Sequence, residues 1–392
     1  MFAQRTAWQL SSNKITQVLT QLRESGEEIL DLTESNPTRC GFSYPSEEIM
    51  DALQSPCNLE YRPSSQGLLS AREAVCAYYQ RKNVEITPDQ VFLTASTSEA
   101  YSFLFRLLAN PGEEILFPRP GYPLFEFLID LNDLKWRTFP LVYKEGWHVD
   151  LEGLASEVSE QTRAVVLVNP NNPTGSFIDA TQRETINKIC GGKIPIICDE
   201  VFEDYVFDEG LESFSLVNNQ ENLTFVLGGL SKTLALPQMK VSWIVVSGPK
   251  DDVQESIKRL EIIADTYLSV NTPAQNALPK WLGLRNVIQK DILTRVRQNR
   301  DLILGQASSH LSCRVLDAQG GWYVVLKVGQ RDEEQFVLNL LEQDHVFVHP
   351  GYFFDFPDEG YIVLSLLPLS DVFEKGVTRI LNNSFPDFFK GS

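Results

Sequence analysis

Leu227-Gly-Gly-Leu-Ser-Lys-Thr-Leu-Ala-Leu-Pro-Gln-Met-Lys-Val-Ser-Trp243 sets one lysine, Lys232, between two apolar strands predicted over Thr224 to Leu227 and Trp243 to Val246. Burying an unpaired ammonium is costly, so lysines are seldom placed among apolar strands for structural reasons. A desolvated lysine has a depressed pKa and becomes a usable amine nucleophile. The other reading of the stretch is a surface lysine after a Ser-Lys turn. The rest of the chain decides between them.

Working outward in the N-terminal direction, short apolar runs alternate with helical patterns. Strands are predicted over Val91 to Thr94, Ile115 to Phe117, Trp136 to Leu141, Ala164 to Val168 and Ile194 to Cys198. Helices are predicted over Leu68 to Lys82, Ser98 to Ala109, Tyr122 to Ile129 and Thr181 to Ile189. With no β-hairpin signal among them, this alternation predicts an α/β fold whose mostly parallel sheet is sandwiched by helices. In such sheets ligands bind beyond the carboxyl ends of the strands. The residues that follow those ends are Thr94-Ala-Ser-Thr-Ser98, Pro118-Arg-Pro-Gly-Tyr122, Asn169-Pro-Asn-Asn-Pro-Thr-Gly175, Asp199 and the lysine loop. They are expected to converge on one crevice.

In the C-terminal direction the pattern changes after about Leu268. A helical region interrupted at Pro273 and Pro279 runs to about Ser308, and short strands around a helix at Glu333 to Glu342 follow. This reads as a smaller α+β C-terminal domain. The predicted division is 45–270 for the large domain and 1–44 plus 271–392 for the small one. A chain of 392 residues suits such a layout.

Composition narrows the function. A net charge of −18 leaves no basic face for phosphate backbones and argues against nucleic acid. The six cysteines show no CxxC pair and several lie in apolar runs, so they read as reduced core residues. The four histidines form neither HxxxH nor HExxH, so no metal site is expected. No run reaches the length of a membrane span and Met1-Phe-Ala-Gln-Arg-Thr6 lacks a signal core, which gives the cytoplasm as the expected address.

Asn169 to Gly175 is a turn whose side-chain amides are held by prolines, and Asp199 puts a carboxylate at the crevice floor. With Tyr61, Thr94 to Ala100, Pro120-Gly-Tyr122, Asp199-Glu-Val201 and Ser231-Lys232…Pro237, the chain resembles, over nearly its whole length, the pyridoxal-phosphate enzymes of the aminotransferase class I/II family. These are fold type I, aspartate-aminotransferase-like proteins. The resemblance implies that Lys232 holds pyridoxal 5′-phosphate (PLP) as a Schiff base and then shuttles a proton. It also implies that Asp199 keeps the pyridine nitrogen protonated. Asn172 would hydrogen-bond the phenolic oxygen and Tyr122 would stack on the ring. Ser96, Thr97 and Ser98, at a helix start, would hold the phosphate with Ser231 and Lys240 nearby. Tyr61 would reach that phosphate from the second subunit of a homodimer.

The resemblance loosens at five positions. Lys240 stands where the family has a phosphate-gripping arginine, and a lysine lacks the planar fork. Gly229 replaces a serine and is expected to lose a phosphate hydrogen bond. Phe202 replaces a tyrosine that donates to the phenolic oxygen, so the lysine–cofactor link is expected to titrate at raised pKa unless Tyr205 substitutes. Gln238 replaces a glycine. Val363, in Gly360-Tyr-Ile-Val-Leu-Ser365, replaces the arginine that binds the substrate carboxylate. Either another residue binds that carboxylate, with Arg39 or Arg119 as candidates and Asn36 beside the former, or the substrate lacks a carboxylate at that position.

The expected activity is transfer of an amino group between an amino acid and a 2-oxo acid. A lyase of the same fold, such as a carbon–sulfur β-lyase, uses the same lysine and cofactor. A non-catalytic PLP-binding protein is the third reading, suggested by the altered contacts.

Overall fold

The computed structural model describes residues 1–383 except 209, 211–214, 309, 311–312 and 330–331. Fourteen strands follow in chain order among them. β1 is Leu30–Asp31, β2 Val91–Thr94, β3 Glu114–Arg119, β4 Lys135–Tyr143, β5 Trp147–Val149, β6 Thr162–Val168 and β7 Ile196–Asp199. β8 is Thr224–Gly229, β9 Ser242–Ser247, β10 Cys313–Leu316, β11 Tyr323–Val328, β12 Val346–Phe347, β13 His349–Pro350 and β14 Tyr361–Ser365.

The large sheet has eight strands in the order β2-β9-β8-β7-β6-β3-β4-β5. Its centre, β8-β7-β6-β3-β4, is parallel, as the alternation of strands and helices requires. Both faces are buried. Phe92, Phe117, Val166, Ile197, Phe225 and Ile244 point into one core with the helices Thr97–Leu108 and Lys250–Tyr267. Their neighbours along the strands, Val91, Leu116, Val165, Cys198, Val226 and Val245, point into the other, beside Val75 and Tyr79 of the helix Leu69–Gln80. The alternation explains why these strands read as continuous apolar runs.

The smaller sheet, β10-β11-β14-β13, is antiparallel throughout. The helices Arg285–Ala307 and Ser370–Asn382 pack on each other beside it. The N-terminal segment joins this unit through the parallel pair β1–β12, and its helix Lys14–Glu24 packs on Glu333–Asp344.

Three expectations need correcting. A hairpin does exist: β4 and β5 pair antiparallel across a turn with Glu145 at φ 54° and Gly146 at φ 141°. Pro279 does not interrupt its helix, which runs Thr272–Gly283, and the break falls at Leu284 instead. Tyr122 lies before its helix, which spans Phe125–Leu131.

The lysine loop depends on a close approach upstream. Gly228 is opposite Trp243 in the β8–β9 register, and a Cβ on it would lie 2.5 Å from the indole nitrogen. Trp243 is fully buried and donates to the Tyr79 hydroxyl at 3.1 Å, so the ring has nowhere to go. Gly228→Ala is expected to cost roughly 1–3 kcal/mol, read as a lower urea midpoint at unchanged slope. An unaltered midpoint refutes the packing argument.

Candidate active site

The strand exits do converge. A cavity of about 290 Å³ opens at the carboxyl ends of the parallel strands. Its wall contains Ser96, Thr97, Ser98, Tyr122, Asn172, Asp199, Phe202, Ser231 and Lys232. They arrive from five strand exits, those of β2, β3, β6, β7 and β8. Ser96 follows β2 and caps the helix Thr97–Leu108, its hydroxyl accepting from the Glu99 N–H at 3.2 Å. Glu99 in return accepts from the Ala95 N–H at 2.7 Å, a reciprocal cap that fixes the helix start against the cavity. Asn172 sits in the loop after β6, Asp199 ends β7, and Lys232 is in the short helix Leu230–Thr233 after β8.

Lys232 is held by its backbone. The Tyr205 hydroxyl donates to the Lys232 carbonyl at 2.7 Å and the Ala235 N–H donates to it at 3.1 Å. The amine itself has no hydrogen-bonded carboxylate among the described residues. It lies 4.9 Å from the centre of the Trp322 ring and 5.4 Å from that of Phe202. Burial pulls its pKa down to about 8, opposed by the negative charge of Asp199. The desolvated amine inferred from the loop sequence is therefore present.

Asp199 is buried, and burial pushes its carboxyl up to about 6. Three contacts pull the other way: the Val201 N–H on Oδ1 at 3.1 Å, the Tyr101 hydroxyl on Oδ2 at 3.1 Å, and the Lys232 charge. Tyr101 was not singled out from sequence. It sits on the buried stripe of its helix beside Phe105 and Phe125, where an aromatic reads as core.

Other positions fall differently from expectation. Tyr205 is committed to the lysine carbonyl and does not line the cavity, so it does not stand in for the hydroxyl missing at Phe202. Gly229 leaves no gap. It faces Ser242 across the β8–β9 register, and a Cβ on Gly229 would collide with the Ser242 hydroxyl. Ser242 lines the cavity, so the neighbouring strand supplies a hydroxyl there. Lys240 is exposed and left-handed at φ 52°, in sequence between the wall residues Pro237 and Ser242 but not itself in the wall. Gln238 is also exposed.

The substrate candidates stay outside. Arg39 is exposed in the turn Pro37–Arg39, and Asn36 accepts from the Thr38 hydroxyl at 2.7 Å as that turn's cap. Arg119 is paired with Asp355, Nε to Oδ2 at 3.0 Å. None of the three lines the cavity. Tyr61 is 77% exposed and lies along a separate groove with Arg62. Val363 is a fully buried core residue of β14.

The donor set tests the resemblance. The hydroxyls of Thr97, Ser98 and Ser231, the Asn172 amide N–H groups and the Lys232 amine line one cavity with no hydrogen-bond acceptor from the described residues. A group with a phosphate, a phenolic oxygen, a carbonyl and a ring nitrogen over Asp199 matches this set.

Comparison with known proteins agrees. The family model described as Aminotransferase class I and II matches residues 27–370. Glutamate-pyruvate aminotransferase AlaA of Haemophilus influenzae is 27% identical over 369 residues, 92% of this chain and 91% of that protein. Alanine aminotransferase of Mycobacterium tuberculosis is 27% identical over 385 residues, 94% and 88% of the two chains. Among solved structures, alanine aminotransferase from Pyrococcus furiosus superposes with a TM-score of 0.88 at 26% identity, over 97% of this chain and 98% of that one. An aminotransferase from Escherichia coli gives 0.87 at 26% identity over 98% and 99%.

The low pKa of Lys232 has a direct readout. In cofactor-free protein, reductive methylation followed by mass spectrometry of the Lys232 peptide should rise with pH to a midpoint near 8. Exposed lysines should follow about 10.4. The sign follows from burial: the fold favours the neutral amine, so the lysine releases its proton earlier than in an unfolded chain and its contribution to stability rises with pH between about 8 and about 10.4. A Lys232 profile that tracks exposed lysines would contradict this environment.

Proposed function

The chain belongs to the class I and II aminotransferase family, and from that premise we propose that its cavity binds PLP with Lys232 as the covalent anchor. The protein moves an amino group between an amino acid and a 2-oxo acid. The observation that carries the site assignment is the desolvated, unpaired amine of Lys232 in one cavity with the Asp199 carboxylate and the free donors of Thr97, Ser98 and Ser231. When bound, PLP supplies a carbonyl carbon that condenses with primary amines and a ring that accepts electrons.

The chain's own residues have distinct tasks. Lys232 would supply the amine that holds the cofactor and, when free, a base near neutral pH that takes a proton from the substrate's Cα. Asp199 would keep a proton on the ring nitrogen, and the Tyr101 hydroxyl and Val201 N–H favour its ionised form and orient it. Asn172 would donate to the phenolic oxygen, for which Phe202 offers only a ring face, and Tyr122 would hold the ring. Ser96, Thr97 and Ser98 present hydroxyls and helix N–H groups to the phosphate, Ser231 and Ser242 add hydroxyls, and Lys240 adds charge from the rim.

The exposed Leu59 and Tyr61 support a homodimer in which Tyr61 reaches the partner's phosphate site. No described helix is long and apolar enough to cross a membrane.

Two experiments test this reading. The purified protein should show a visible absorbance band, and borohydride should fix the cofactor to Lys232, with Lys232→Ala losing both the band and amino transfer. A panel of amino acids that includes alanine and glutamate should then yield the pyridoxamine form of the cofactor. Release of pyruvate and ammonia without that form would replace transfer by elimination. Tyr101→Phe removes a donor from the ionised form of Asp199, so the acid limb of kcat/KM should move to higher pH by about one unit or more. An unmoved limb removes Tyr101 from this role.

A further inference from the structure

Resting on the aminotransferase reading above, we infer that Tyr323, assisted by Ser35, is the anchor for the substrate's α-carboxylate. An amino acid and a 2-oxo acid share that carboxylate beside the reacting carbon, so the site must offer it a donor. Among the described residues Lys232 is the one cation in the cavity wall, and the reaction claims it. The wall donors on the large-sheet side, from Ser96 to Ser98 and at Asn172, Ser231 and Ser242, are matched by the cofactor's own oxygens. Two wall residues come from the opposite side, Ser35 after β1 and Tyr323 at the start of β11.

Strand register explains why Tyr323 is placed for this task. Tyr323 is opposite Ser365, and Val325 is opposite Val363, which in turn is opposite His349. Side chains two apart along a strand share a face, so Tyr323 projects on the face of Val363 at the end nearer the cavity. Val363 is sealed in the core and brings no charge. Ser35 and Tyr323 line the same wall of the cavity, and Tyr323 and Tyr122 are close enough for charge on one to disfavour charge on the other. The phenol stays protonated, because burial holds its pKa above the ordinary value. It is therefore a donor throughout the neutral range.

The anchor is a pair of neutral hydroxyls in place of a cation. A hydrogen bond to a charged group in a desolvated site still discriminates strongly against a ligand that lacks the charge.

The test uses the loaded enzyme and two ligands: the best donor among the standard amino acids, and the amine left when its carboxyl group is removed. Wild type should prefer the amino acid in KM. Tyr323→Phe, nearly isosteric, should raise the amino-acid KM by about tenfold or more, leave the amine's KM unchanged and leave the cofactor absorbance spectrum intact. Ser35→Ala should move the same ratio in the same direction by less. A purely structural tyrosine would shift both ligands together. If the acid-to-amine ratio is unchanged in Tyr323→Phe, or wild type shows no preference for the acid, the anchor is refuted while the aminotransferase reading stands. If the absorbance band or amino transfer is missing from wild type, both fall.

Discussion

The structure is arranged around one electrostatic constraint: an amine buried without a bonded counter-ion. Removing an ammonium from water costs several kcal/mol. The Trp322 and Phe202 rings near Lys232 return about 0.5–2 kcal/mol as cation–π attraction. The deficit appears as a pKa drawn down to about 8. Such a group persists only where its backbone is fixed from elsewhere. Tyr205 and the Ala235 N–H hold the Lys232 carbonyl, and the Tyr44 hydroxyl donates to the Ala235 carbonyl at 2.9 Å. Tyr44 and Tyr205 come from distant regions of the chain, so tertiary contacts hold the lysine loop from outside while the Ala235 N–H closes it from within.

The same economy applies to Asp199. Its burial raises the carboxyl to about 6, and its neighbours keep it from rising further. A lysine pulled down and an aspartate pushed up, in one cavity, is the pattern in which one group is a base and the other a charge held for the ring. The two sheets are also tied across the crevice. The Gln319 and Gly320 N–H groups both donate to the Gly175 carbonyl at 3.0 Å, and a Cβ on Gly175 would lie 2.5 Å from the Gly320 carbonyl oxygen. The loop that carries Asn172 is thus pinned to the turn that leads into Trp322 and Tyr323. Ring-side and substrate-side groups are positioned together.

The fold class, the convergence of strand exits and the placing of Lys232, Asp199 and Asn172 were legible because each rests on local pattern. An apolar run followed by a polar turn marks a carboxyl end wherever the run sits in the sheet. What escaped depends on register or on partners far along the chain. Ser242 reaches the position vacated at Gly229 only because β9 returns antiparallel to β8. Tyr101 has the helical spacing of a core aromatic, and only its contact with a residue 98 positions away reveals a polar role. The β4–β5 hairpin turns through Lys144, Glu145 and Gly146, without the Asn-Gly or Asp-Gly pair that marks a tight turn. Arg39 and Arg119 were reasonable candidates by sequence proximity, but an arginine beside a motif answers first to nearby carboxylates, as Arg119 does to Asp355.

Val363 shows how such a departure can persist without disturbing the fold. It lies between Val325 and His349 in a fully paired sheet, and an apolar side chain there adds packing without desolvating a charge. Charge for the substrate must then be met by dipoles, and hydroxyl dipoles stabilise an anion only if they are preoriented. Ser35 and Tyr323 reach the wall from two chain segments on the same side of the crevice, and Tyr323 is fixed by its place in the β11–β14 register. The consequence is one of degree. A guanidinium attracts carboxylates at a distance, whereas a hydroxyl pair acts only on contact, so selectivity in this site falls on the shape of the cavity between Tyr122 and Tyr323 more than on long-range attraction.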